Sequence, residues 1–265
     1  MIFKTVPLRE NDPKVKLDVY LADPYEGKQR KALLVIPGGG YHAVCSDREG
    51  EPVALAFLPH GYNAFVLSYS VEKKRPFPAQ LMEAASAIKH VKDHAEEYGI
   101  DPDQVFVAGF SAGGHLAACC GILWKSEEIR SALKMPYGYN KPKGIFTIYP
   151  VINDHEDSFR NLWCTKDLTE EQRERSCVDR HVDQDSAPAF ILHTVTDEMV
   201  PVQNSLDLAN AYAKAGVSFE LHVYPNGPHG MALANSATAL HGDPRYIDPE
   251  IAKWVEMAAA WANKL

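Results

Sequence analysis

The segment Gly109-Phe110-Ser111-Ala112-Gly113 directly follows the apolar run Gln104 to Ala108 and opens a stretch that is apolar nearly all round. A serine that attacks a carbonyl must project its hydroxyl from a tight strand-to-helix turn, where side chains two positions to either side would clash. Glycines at both positions remove that clash. The helix that follows aims its first N–H groups at developing negative charge. Gly-x-Ser-x-Gly also arises by chance, and a purely structural glycine-rich turn is the plain alternative. Its place between a buried strand and a buried helix favours chemistry.

A serine hydroxyl is a poor nucleophile until a neutral imidazole takes its proton. The chain has 11 histidines, so position must choose among them. His229, in Pro225-Asn226-Gly227-Pro228-His229-Gly230, leaves the strand Phe219 to Tyr224 at the sheet edge where the serine also sits. His115, one helical turn past Ser111, is expected to point into helix packing, and His193 falls inside a strand; both read as structural. The imidazole needs an acid to fix its tautomer and stabilise the imidazolium. Asp197, ending the strand Ala189 to Val195, is favoured over its neighbour Glu198 and over Asp154, which follows the preceding strand.

The run Pro37-Gly38-Gly39-Gly40-Tyr41 follows another buried strand. Bare glycine backbone can bring N–H groups up to a substrate oxyanion, together with the N–H of Ala112. A phosphate cradle is the rival, but Gly-x-x-x-x-Gly-Lys-Ser/Thr is absent and no Gly-x-Gly-x-x-Gly opens a helix. Tyr41 and His42, just past the glycines, are candidates for lining a substrate pocket.

These residues need a scaffold that presents them along one sheet edge. Lys16 to Ala22 alternates in character and reads as an early antiparallel strand. Apolar runs at Ala32–Ile36, Ala64–Tyr69, Val105–Phe110, Ile145–Tyr149, Phe190–Val195 and Phe219–Tyr224 read as strands buried on both faces. Between them, helices are expected over Ala79 to Tyr98, Ala112 to Trp124, Asn204 to Ala215 and Pro249 to Lys264, with Gly216 as a helix cap. This alternation predicts an α/β fold, a mostly parallel sheet with helices on both faces. Two polar stretches interrupt it, Val151 to Pro188 and Met231 to Pro249, and both could wall a pocket. The expectation is one domain over 1–265 with a cap-like insertion at 151–188.

With 265 residues, 46% hydrophobic and 23% charged, the composition is that of a globular protein, and the net charge of −8 disfavours nucleic acid or an anionic membrane as partner. No apolar run approaches the roughly 20 residues of a membrane span, and the N-terminus lacks the apolar core of a signal peptide. Five cysteines without metal-ligand spacing read as reduced thiols, and a cytoplasmic location is expected. Trp254 and Trp261 belong either in the core or at a contact between copies, which leaves homo-oligomerisation open.

On these residues the chain resembles the α/β-hydrolase superfamily over nearly its whole length, and within it the bacterial esterases related to hormone-sensitive lipase, including acetyl xylan esterase-like proteins. The resemblance is carried by Pro37 to Tyr41, Glu51-Pro52-Val53-Ala54, Gly61 to Ser70, Gly109 to Ala117, Asp197 to Pro201 and Gly227 to Gly230. Many relatives begin the glycine run with His where this chain has Pro37. The resemblance implies a sheet of about eight strands and hydrolysis of carboxylic esters, with Ser111, Asp197 and His229 as triad. It also implies an oxyanion hole from Gly39, Gly40 and Ala112, with no cofactor and no metal; which two of glycines 38–40 donate stays open. The chain lacks a long apolar lid that would cover a fatty acyl chain, which points to a short acyl group such as acetyl, and the resemblance suggests acetylated sugars or xylo-oligosaccharides on the alcohol side. A peptidase or amidase of the same fold and a non-catalytic binding protein on that scaffold are the alternatives.

Overall fold

The computed structural model describes the chain apart from residues 25, 26 and 154 and the side chain of residue 156. Eight segments pair into one sheet: β1 (Ile2–Pro7), β2 (Lys16–Leu21), β3 (Arg30–Ile36), β4 (Tyr62–Ser68), β5 (Ile100–Phe110), β6 (Gly144–Ile148), β7 (Ala189–Thr194) and β8 (Phe219–Tyr224). Their spatial order is β1-β2-β4-β3-β5-β6-β7-β8. The first two pairings in that order are antiparallel, and all the others are parallel.

Side chains alternate between the faces of a strand, so a continuous apolar run feeds two cores at once. In β3, Leu34 and Ile36 join Val107, Leu116 and Ile191 on one face. Leu33 and Val35 join Phe106, Phe146 and Trp254 on the other. The helix Ala112–Ile122 is buried at every residue, which explains its uniformly apolar sequence.

Seven strands lie where the alternating segment and the six apolar runs predict them, with ends moved by a few residues. β1 escapes the sequence because it is an outer strand with Ile2 and Phe3 half exposed, so its apolar residues mark no buried face. The helix expected over Ala79 to Tyr98 breaks at His94 into Ala79–Asp93 and Ala95–Tyr98. Gly216 ends Gln203–Ala215 in the left-handed conformation a helix cap requires (φ +69°).

The 151–188 segment carries helices Glu156–Leu162 and Glu170–Ser176 and a short 3-10 turn, Val178–His181. Thr169 opens the second helix with a reciprocal capping box to Gln172. Among the described residues no helix is long and apolar enough to cross a membrane.

Trp254 and Trp261 lie in the core. Trp254 is fully buried, donates its indole N–H to the Ala232 carbonyl at 3.0 Å, and packs on Phe57 and Phe110. Trp254→Ala is therefore expected to lower the unfolding free energy by about 3–5 kcal/mol, read from the shift of the urea midpoint.

Candidate active site

Ser111 stands between the end of β5 and the helix Ala112–Ile122, with φ +54° and ψ −120°. A non-glycine residue rarely holds a positive φ, and the surroundings enforce it here. A Cβ at Gly109 would lie 2.1 Å from the Gly113 carbonyl oxygen, and one at Gly113 would lie 2.1 Å from the Ile36 carbonyl oxygen. Both positions must be glycine for β5, β3 and the helix to close on the serine.

The loops after β7 and β8 bring two more side chains to that turn. His229 Nε2 lies 2.8 Å from Ser111 Oγ, and His229 Nδ1 lies 2.7 Å from Asp197 Oδ2. With Nδ1–H donating to the carboxylate, Nε2 is the acceptor facing the serine hydroxyl. Asp197 Oδ1 accepts the backbone N–H groups of Met199 and Val200 at 2.9 and 2.8 Å. Burial works to raise the Asp197 pKa, but hydrogen bonds from His193, His229 and the Val200 N–H outweigh it and hold the carboxyl well below the usual carboxylate range. Ser111 and Asp197 are only 8% and 7% exposed, so the relay is shielded from competing water.

The sequence's rivals lie elsewhere. Glu198 is exposed beside Asp197, and Asp154 falls outside the described residues. His193 is buried, bonded to Ser205 Oγ at 2.8 Å and to the Val200 carbonyl at 2.9 Å, with Nε2 also 3.4 Å from Asp197 Oδ2. His115 is buried as well: Nε2 donates to the Ser176 carbonyl at 2.8 Å, so Nδ1 must accept the Tyr41 hydroxyl at 2.7 Å. Burial lowers its pKa to about 4.

That contact corrects one expectation. Tyr41 does not line a pocket with its side chain: at 1% exposure its ring is turned inward against Tyr69 and His115. Its positive φ (+57°), forced by the turn out of the glycine run, carries the ring into the core. His42 is exposed, and its backbone N–H closes the turn onto the Gly39 carbonyl at 2.9 Å.

The glycine run is anchored through its carbonyls. Gly38 O accepts Cys45 N–H, Gly39 O accepts the N–H groups of His42 and Ala43, and Gly40 O accepts the Asn161 side-chain amide at 2.9 Å. Gly38 N–H is held by the Glu49 carboxylate at 2.7 Å. Among the described residues, the N–H groups of Gly39 and Gly40 donate to no protein acceptor. Ala112 begins its helix, so its N–H has no acceptor within the helix. Asn161 reaches this loop from the 151–188 segment, and Phe159 of the same segment packs on the His115 ring. No local pattern in the sequence marks Asn161, Glu49 or Tyr149, whose ring lies 5.0 Å from that of His229.

Beside the loop that carries Asp197, a cavity of about 520 Å³ opens between the 151–188 segment and the start of Gln203–Ala215. Its lining mixes polar side chains such as Asn153, His155 and Asp207 with Phe159, Cys177 and Pro201. Among the described residues no group of three or more His, Cys, Asp or Glu is placed to hold a metal ion.

A mostly parallel sheet with a serine on a strained turn after one strand, and a carboxylate and an imidazole on the loops after later strands, defines an α/β hydrolase. The chain matches the model of the BD-FAE family over residues 17–212 and belongs to that family. It is 33% identical over 214 residues to endo-1,4-beta-xylanase B of Butyrivibrio fibrisolvens, covering 78% of this chain and 33% of that protein. It is 28% identical over 232 residues to the acetylxylan esterase of Xylanibacter ruminicola, covering 84% of this chain and 45% of that protein. The chain thus spans between a third and a half of the length of these two relatives. The crystal structure of an acetyl ester-xyloside bifunctional hydrolase from Caldicellulosiruptor lactoaceticus matches with a TM-score of 0.83 at 33% identity, over 98% of this chain and 96% of that one. Such neighbours set the domain among the α/β hydrolases.

The buried neutral His115 has a consequence for stability. In the unfolded chain an imidazole takes up a proton near pH 6.5, whereas in the folded protein it does so only near 4. The unfolded state binds more protons between those values, so stability falls as pH is lowered through that window. From pH 7 to pH 5 this one group is expected to remove about 2 kcal/mol of unfolding free energy. Urea titrations at both pH values, with His115→Gln alongside, check it: the variant's pH dependence should be flatter by that amount.

Proposed function

We propose that this domain is a serine carboxylester hydrolase with Ser111 as nucleophile, His229 as general base and Asp197 as the acid that orients it. The observation that carries the reading is the unbroken relay from Ser111 Oγ through both His229 nitrogens to Asp197, with contacts of 2.8 and 2.7 Å. In the first half-reaction His229 takes the serine proton as Oγ attacks the ester carbonyl, and then returns it to the leaving alcohol. In the second, the same imidazole activates water, which frees the acid from the acyl-enzyme. The oxyanion rests on the N–H groups of Gly39, Gly40 and Ala112, a choice supported by the Gly38 N–H being given to Glu49.

The acyl group is proposed to be short, with acetyl first, and the alcohol to be a sugar or xylo-oligosaccharide. Relatives named for acetylxylan and acetyl ester hydrolysis support this. The 151–188 segment then serves as a fixed cap within a single domain, tied to the glycine loop by Asn161. A cytoplasmic location is part of the proposal and rests on the cysteine pattern of the sequence, five in number and without metal-ligand spacing.

Hydrolysis of p-nitrophenyl esters from acetyl to octanoyl tests the reading. Acetate should be cleaved fastest. Ser111→Ala should lose all but a trace of activity, and Asp197→Asn should lower kcat by about 10⁴-fold by releasing the wrong imidazole tautomer. Equal activity of parent and Ser111→Ala would refute it.

A further inference from the structure

Glu49 is 2% exposed, a carboxylate in the core directly behind the glycine loop. Its oxygens take different partners: Oε2 accepts Gly38 N–H at 2.7 Å, and Oε1 accepts the Tyr149 hydroxyl at 2.9 Å. The Tyr149 oxygen in turn accepts Ala232 N–H at 3.0 Å, which leaves its own proton for Glu49. Ala232 lies three residues past His229, and the Tyr149 ring stands edge-on to the His229 imidazole. One carboxylate therefore joins the loop that would hold the oxyanion to the loop that carries the base.

A buried charge is a poor stabilising device, because an apolar side chain of the same shape serves a core as well or better. Burial pushes the Glu49 pKa up, while Gly38 N–H, Arg48, Tyr149 and His229 favour its charged form. Arg48 also reaches towards the Gly230 carbonyl at 3.5 Å, a second link between the same two loops. Cys45 and Tyr69, the other titratable groups that feel the Glu49 charge, are both pushed up, chiefly by burial. Space at the strut is tight, for a Cβ on Gly38 would lie 2.9 Å from both Glu49 Oε2 and Ser111 Cβ.

We propose that Glu49, acting through Gly38 N–H and Tyr149, is a positioning residue that sets the oxyanion loop and the His229 loop against Ser111. It touches no substrate. It turns Gly38 N–H away from the serine, and with the anchored carbonyls of Gly38, Gly39 and Gly40 it fixes the peptide planes of the loop. The inference rests on the proposed roles of Ser111, His229 and the glycine loop.

The test is Glu49→Gln, which keeps the shape but sets an amide N–H₂ against one of the two donors. With p-nitrophenyl acetate, kcat is expected to fall about 10- to 100-fold while KM stays within about threefold, the mark of an interaction that matters in the transition state. Affinity for an aryl trifluoromethyl ketone, which forms a tetrahedral oxyanion adduct on the serine, should fall by a similar factor. Tyr149→Phe should lower both quantities in the same direction, and the double variant should be no worse than Glu49→Gln alone. A Glu49→Gln protein that loses thermal stability but keeps parental kcat and inhibitor affinity overturns the proposal. If that variant does not fold, an unchanged Tyr149→Phe overturns it instead. An active parent, a dead Ser111→Ala and an unaffected Glu49→Gln would remove the Glu49 proposal alone. An inactive parent would remove the serine hydrolase reading and this proposal with it.

Discussion

Ser111 is held at a positive φ in the middle of the sheet, and much of the molecule is arranged to keep it there. Residues in such conformations persist only where their surroundings over-determine them. Here β5 is flanked by β3 and β6, and the Ser111 N–H is fixed on the Ile148 carbonyl. The Ser111 carbonyl accepts both His115 N–H and Val151 N–H. Gly109 and Gly113 let backbone approach from both sides, and the fully buried helix Ala112–Ile122 leaves the turn no room to relax. The apolar sequence of that helix and the two glycines answer one steric requirement.

Around the serine, charge is buried in an asymmetric way. Asp197 is surrounded by donors and stays ionised, so the imidazole facing Ser111 has a fixed partner. His193 and His115, equally buried, are each held between a hydroxyl and a backbone carbonyl, and His193 also stands 3.4 Å from Asp197 Oδ2. Three buried histidine and carboxylate environments thus lie close together in the fold with different tasks, set by the donors and acceptors each one meets.

The 151–188 segment belongs to this framework as much as to the surface. Its Asn161 holds the Gly40 carbonyl, its Ser176 carbonyl fixes the His115 tautomer, and its Phe159 packs on the same ring. A segment tied at these points helps hold the glycine loop, through Asn161 on the Gly40 carbonyl.

Sequence alone carried the α/β alternation, seven of the eight strands and the convergence of Ser111, Asp197, His229 and the glycine run on one sheet edge. These are local matters: apolar periodicity marks a strand, and glycine marks a turn that tolerates no side chain. It missed β1, an outer strand whose Ile2 and Phe3 are half exposed, and it pointed Tyr41 outward. It also had no means to single out Glu49, Tyr149 or Asn161. Glu49 and Tyr149 are 100 residues apart, and Gly40 and Asn161 are 121 apart. A buried polar side chain takes its role from whichever donor or acceptor the fold brings within about 3 Å. That partner is chosen by packing among distant segments, so only the tertiary structure decided it.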